Sequence, residues 1–168
     1  MTTEPARIER TYDASPELVW ELLTTASGLA EWWAPDGFTT RVTEIELVPG
    51  GQVHYTMTAT APEQIAFMKN VGQPLTTALH KTFTEVTPPK RLAYLSPIDF
   101  VPGQEPYDHL TTIDLEPDGD QTRLVMTLAP LHDDNWTRQH HAHREQELDN
   151  LGAAITRRRP AFRRGSPS

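Results

Sequence analysis

A chain of 168 residues, 37% hydrophobic and 23% charged, is long enough to bury one core and falls in the soluble globular class. It has no cysteine, which excludes disulfides, thiolate zinc sites and cysteine catalysis. The net charge is −8, and apart from five arginines near the end (Arg157, Arg158, Arg159, Arg163, Arg164) only 10 basic residues face 23 acidic ones, so a phosphate backbone is repelled and no nucleic-acid partner is expected.

No apolar run reaches the length of a membrane helix, and MTTEPARIER lacks an apolar signal region. No membrane partner and a cytoplasmic location are expected. Ala6 to Ala14 puts Ile8, Arg10 and Tyr12 on one side and predicts a strand. Ser15-Pro16-Glu17 then starts a helix, with serine as the cap and proline at the first helical position. Leu18, Val19, Leu22 and Leu23 make that helix amphipathic, with Trp20 beside them. Ser27 is the candidate cap of a second short helix, LAEWW, stopped by Pro35 and Gly37.

Strand signals follow. Thr39 to Val48 is β-branched, and Pro49-Gly50-Gly51 is a turn. Gln52 to Ala59 alternates Val53, Tyr55 and Met57 against His54, Thr56 and Thr58, the period of a half-buried strand. Ala61 to Pro74 has no clear period and predicts a loop holding one helical turn. Leu79 to Val86 and Arg91 to Ser96 are strands around a Pro88-Pro89 turn, and Pro97 to Pro106 is irregular. Tyr107 to Leu115 and Thr122 to Leu128 are strands joined by a hairpin turn over Glu116 to Asp120.

Asp133 to Arg159 is the longest proline-free run and predicts one long helix, capped by Asp133 or Asp134 and ended by Pro160. At about 100° per residue, Leu148, Leu151 and Ile155 share one face, which continues backwards through Arg144, His140 and Thr137. The stripe is apolar in its last turns and polar in its first ones. A helix on a solid core is apolar along its whole inner face, so the front half either lines a cavity or overhangs the core in solvent. Strand, two short helices, six strands and a long helix give an α+β fold, in which a curved antiparallel sheet is covered by the last helix.

Four stretches carry a resemblance: Glu17-Leu-Val-Trp-Glu-Leu-Leu, Leu29-Ala-Glu-Trp-Trp-Ala-Pro-Asp-Gly-Phe, Pro49-Gly-Gly and Val86-Thr-Pro-Pro-Lys-Arg-Leu. In this order they resemble the START-like (SRPBCC, birch-pollen-allergen-like) superfamily, and within it the homologues of the activator of the heat-shock 90 kDa protein ATPase. The resemblance runs from about Arg7 to Ile155 and implies a helix-grip fold, set here as a domain over residues 5–157; the arginine-rich run beyond it reads as a basic, disordered tail over 158–168. It implies no cofactor and no transferable catalytic motif, and it raises a homodimer. The superfamily holds lipid and hormone carriers, polyketide cyclases or aromatases, and chaperone ATPase regulators, and a fold does not fix chemistry.

The leading expectation is a binding protein for a small hydrophobic or amphipathic ligand, rather than an enzyme. Arg144 and His140 are its polar anchors, and Trp33, Phe38, Tyr55, Met57 and Phe83 its apolar lining, with Trp33 and Phe38 at the mouth. If Arg144 is buried it needs a partner, either a strand acid (Glu85, Asp108, Asp114) or the anionic end of a ligand. Arg144→Leu is then expected to weaken binding of an acid with little change in fold. Trp20, Trp32 and Phe100 are further candidates for the apolar lining, and for most of these apolar residues ordinary core is the alternative. Two alternatives use other chemistry. His140 or His141, with Tyr55, Tyr94, Tyr107 or His109, offers an acid–base pair for a cyclase or hydrolase-like reaction. His140 and His143, with His132 or Asp133, offer nitrogen and oxygen metal ligands, though without a tight ligand spacing, so no metal is assigned. Chaperone regulation is a third reading; the co-chaperone of this branch grips its target with a second domain, and one domain is expected here.

Overall fold

A computed structural model describes the backbone of residues 5–33, 37–99 and 103–165, with side chains through Arg157. Its described elements run β1 (Ala6–Tyr12), α1 (Pro16–Thr24), α2 (Ala26–Trp32), β2 (Phe38–Ile45), β3 (Gln52–Ala59), α3 (Pro62–Asn70), β4 (Thr76–Thr87), β5 (Arg91–Ile98), β6 (Tyr107–Asp118), β7 (Gln121–Leu128) and α4 (Asp134–Gly165). The strands form one antiparallel seven-stranded sheet in the order β1-β7-β6-β5-β4-β3-β2. It is curved, and it carries the long C-terminal helix expected of a helix-grip fold.

Local chemistry explains most boundaries. The Ser15 side chain accepts from the Leu18 N–H, and Pro16 opens α1. Thr25, not Ser27, caps α2 by accepting from the Gly28 N–H, because α1 ends only one residue before α2 begins. Asp133 caps α4 through the Trp136 N–H. Gly51 suits the turn after β2 because a Cβ there would lie 2.2 Å from the Glu46 carbonyl oxygen. Gly119, at φ 63°, supplies the left-handed residue of the β6–β7 hairpin.

Two expectations are corrected. The segment read as a loop is the nine-residue helix α3. It has no buried residue, so it never acquired the apolar period by which helices are recognised. The last helix runs to Gly165, past Pro160. A proline removes one ladder donor, but its own φ is compatible with helix.

The core lies between the inner face of the sheet, α1, α2 and the rear half of α4. Leu148, Leu151, Ala154 and Ile155 are buried there with Ile8, Leu22, Ile113, Leu124 and Met126. The Tyr12 hydroxyl donates to the Leu148 carbonyl at 2.6 Å, fixing α4 to the β1 edge. Arg157 donates to the Glu31 carbonyl at 3.1 Å, fixing it to α2. The front half of α4 is thereby held over β4 and β5 without being packed into the core.

Candidate functional site

Pleating places Leu79, Lys81 and Phe83 on the inward face of β4, and Tyr94, Ser96 and Ile98 on that of β5. The front half of α4 presents Trp136, His140 and Arg144 towards them. A pocket of about 400 Å³ lies between, with Tyr55 of β3 in its wall. Its apolar sides are Leu79, Ile98, Leu131 and Trp136, and its polar groups gather at Lys81, Ser96, His140 and Arg144.

Lys81 is 8% exposed, and its Nζ donates to Ser96 Oγ at 2.7 Å. The same nitrogen lies 5.3 Å from the ring centroids of both Trp33 and Tyr94. Two ring faces favour the cation by about 0.5–2 kcal/mol each. Loss of hydration outweighs them and lowers the ammonium to about 7; Arg144 pushes the same way, and Glu147 opposes.

Arg144 finds its partner on its own helix. Its Nη2 donates to Glu147 Oε2 at 2.9 Å, with the two side chains 18% and 5% exposed. This corrects the expectation of a strand acid: Glu85 and Asp114 pair with Arg91 on the outer face instead. Asp108 is exposed on β6, beside inward-facing His109. Arg144 Nε is buried without a hydrogen-bond partner.

Behind the pocket, His109 is 1% exposed. Its Nε2 lies 2.6 Å from the Ala129 carbonyl, which can only accept, so Nε2 carries the proton. Nδ1 is left as an unpartnered acceptor. The His140 ring meets the His109 ring edge-on at 4.5 Å, and its Nε2 is also buried and unpartnered. Burial, then the charges of Arg144, His109 and Lys81, push the His140 imidazolium far below its ordinary range. His140 is therefore neutral near pH 7, and as a base it is weaker than an ordinary imidazole. Tyr55 and Tyr94 stay protonated phenols, since burial, and next Glu147, raise both.

Of the residues singled out in the sequence, Tyr55, His140, His143 and Arg144 come together on the pocket. Trp33 lies one layer deeper, 4.5 Å from the Tyr55 ring, and with Phe83 lines a narrow apolar gap of about 10 Å³. Phe38 starts β2 opposite Ala59, and Met57 packs against the core from β3, both apart from the pocket lining. Phe100 lies outside the described residues. His141 faces Glu145 at 3.7 Å, and His132 Nδ1 shares a hydrogen bond of 2.8 Å with the Tyr107 hydroxyl. Among the described residues no three His, Asp or Glu side chains are grouped to hold a metal.

Sequence reasoning missed Lys81, Ser96, Glu147 and the burial of His109. The signals were there. Lys81 is two residues from inward Phe83, and Glu147 is three beyond Arg144 and four before Leu151, inside the buried stripe.

A family model described as Activator of Hsp90 ATPase homolog 1-like protein matches residues 13–156. No curated protein matches the chain. Among solved structures, a protein from Chromobacterium violaceum is 25% identical, covering 92% of this chain and 98% of its own, with a TM-score of 0.68. One from Nitrosomonas europaea is 21% identical over 93% and 96%, with a TM-score of 0.69. A Silicibacter pomeroyi protein named AHSA1 is 19% identical over 90% and 97%, with a TM-score of 0.69. The last two likenesses speak for the fold alone.

Proposed function

The chain belongs to the Activator of Hsp90 ATPase homolog 1-like family, and from that premise we propose that it is a small-molecule binding protein whose ligand is a partly apolar acid. The fold is consistent with a ligand-binding domain. One observation carries the finer reading. The pocket joins apolar walls to a polar end where two basic side chains, Lys81 and Arg144, meet one buried acid, Glu147, the partner of Arg144 behind the lining; the other carboxylate, Asp99, lines the pocket from an exposed position. Glu147 neutralises Arg144 and leaves the Lys81 charge uncompensated. A ligand carboxylate supplies the missing negative charge, Arg144 keeps free donors for it, and neutral His140 lies beside them. A volume near 400 Å³ suits a compact bicyclic acid.

The test needs a careful variant. Arg144→Leu alone leaves Glu147 buried without its cation, a change that costs about 3–5 kcal/mol. The expectation of an unaltered fold therefore gives way. Arg144→Met combined with Glu147→Gln removes both charges and keeps the volume. In calorimetric titration, 2-naphthoate should bind the wild type with a Kd of ~10–100 µM, as about 0.5 kcal/mol per heavy atom implies. It should bind at least about tenfold more tightly than neutral 2-naphthamide; Lys81→Met, which removes the uncompensated charge, should lose that preference, while the double variant, which removes a neutral pair and keeps Lys81, should retain it. Equal affinity for acid and amide in the wild type would remove the acid-binding reading.

A further inference from the structure

We propose that Lys81 is a reactive amine that condenses with an aldehyde or ketone entering the pocket, forming an imine at Nζ. This rests on the reading of the pocket as a small-molecule site, and it names a second chemical feature of the ligand. The placement of Lys81 is unlike that of the chain's other two lysines, Lys69 and Lys90, which are both exposed. Its stem descends from β4 to the pocket floor, where Nζ is held by Ser96 Oγ between the Trp33 and Tyr94 rings. Among the described residues its ammonium forms no ion pair. An ordinary structural lysine would reach water or a carboxylate; this one reaches a hydroxyl, two rings and a cavity.

That environment favours the neutral amine, whose lone pair is the nucleophile. With the ammonium lowered to about 7, roughly half of Lys81 carries a free lone pair at that pH. An exposed lysine, titrating near 10.4, has only about one molecule in 2,500 in that form. In the step itself, Nζ adds to the carbonyl carbon to give a carbinolamine. The two Nζ hydrogens then leave with the former carbonyl oxygen as water, and a C=N bond remains. No oxidant or reductant takes part. The aromatic groups around Nζ suit a carbonyl conjugated to a ring.

The test uses the full-length protein, 2-naphthaldehyde and sodium cyanoborohydride, which reduces an imine to a stable secondary amine, followed by peptide mapping. At pH 7 the Lys81 peptide should be labelled at least about 100-fold faster than the Lys69 and Lys90 peptides. Its labelling rate should reach half its plateau near pH 7, whereas the exposed lysines gain rate only at alkaline pH. Lys81→Met should abolish the fast label, and the wild-type pH profile stands alone if that variant does not fold. Labelling of Lys81 no faster than of Lys69 and Lys90, or with their pH profile, would overturn the proposal. Retained 2-naphthoate binding alongside that result would sink only the imine chemistry; loss of both would sink the binding reading as well.

Discussion

At the scale of single residues, the site is governed by burial of charge. Lys81 illustrates the consequence for stability. Its folded value is about 7 against an ordinary 10.5. Below pH 7 both folded and unfolded chains hold the proton, and the full cost of enclosing an ammonium is present. Between pH 7 and 10.5 the unfolded chain keeps a proton that the folded chain has released, so Lys81 makes stability rise with pH across that window. Tyr12, Tyr55 and Tyr94 act oppositely above their ordinary 10.0, because the unfolded phenols ionise first and stability then falls. Urea unfolding from pH 6 to 9.5 should therefore show wild type gaining on Lys81→Met by up to about 1.4 kcal/mol per pH unit above pH 7. Parallel profiles for the two proteins would mean that Lys81 titrates as an exposed lysine does.

At the scale of elements, α4 and α3 are opposites. The rear half of α4 is packed on β1 and α2, and its buried leucines announce it in the sequence. Leu151 is 0% exposed, so Leu151→Ala should cost about 2–5 kcal/mol. α3 contributes nothing to the core, and Phe67 on it is 59% exposed, so Phe67→Ser should change stability by less than about 0.5 kcal/mol. Denaturant midpoints of the two variants check the contrast; a comparable loss from Phe67→Ser would mean that α3 is covered in solution. The same contrast explains what could be read without coordinates. Strands and helices with one buried face show their period, which is why β3 is found at its observed bounds and α3 is taken for a loop. Caps are less certain where helices abut, as Thr25 and Ser27 demonstrate.

At the scale of the whole molecule, chain order was enough to anticipate one antiparallel sheet and a covering helix, because few topologies bury both. The candidate site was read only from its helical side. Arg144 and His140 interrupt an apolar stripe, and that interruption is visible along a single element. Lys81, Ser96 and His109 sit on three different strands, β4, β5 and β6, and only the register brings them under α4. Their partnership is a property of the sheet, not of any local pattern. Among the described residues no helix is long and apolar enough to cross a membrane.

The central claim is that the front of α4 and the inner ends of β4 and β5 enclose a site for a small molecule. Backbone amide spectra of the 15N-labelled protein, recorded while 2-naphthoate is added, test it most directly. The claim predicts saturable shifts at Leu79, Lys81, Ser96, Ile98, Gln139, His140 and Arg144, with the rear of α4 around Leu151 and Ile155 unmoved. Saturable shifts confined to the outer face of the sheet, or a spectrum unchanged at millimolar naphthoate, would contradict it.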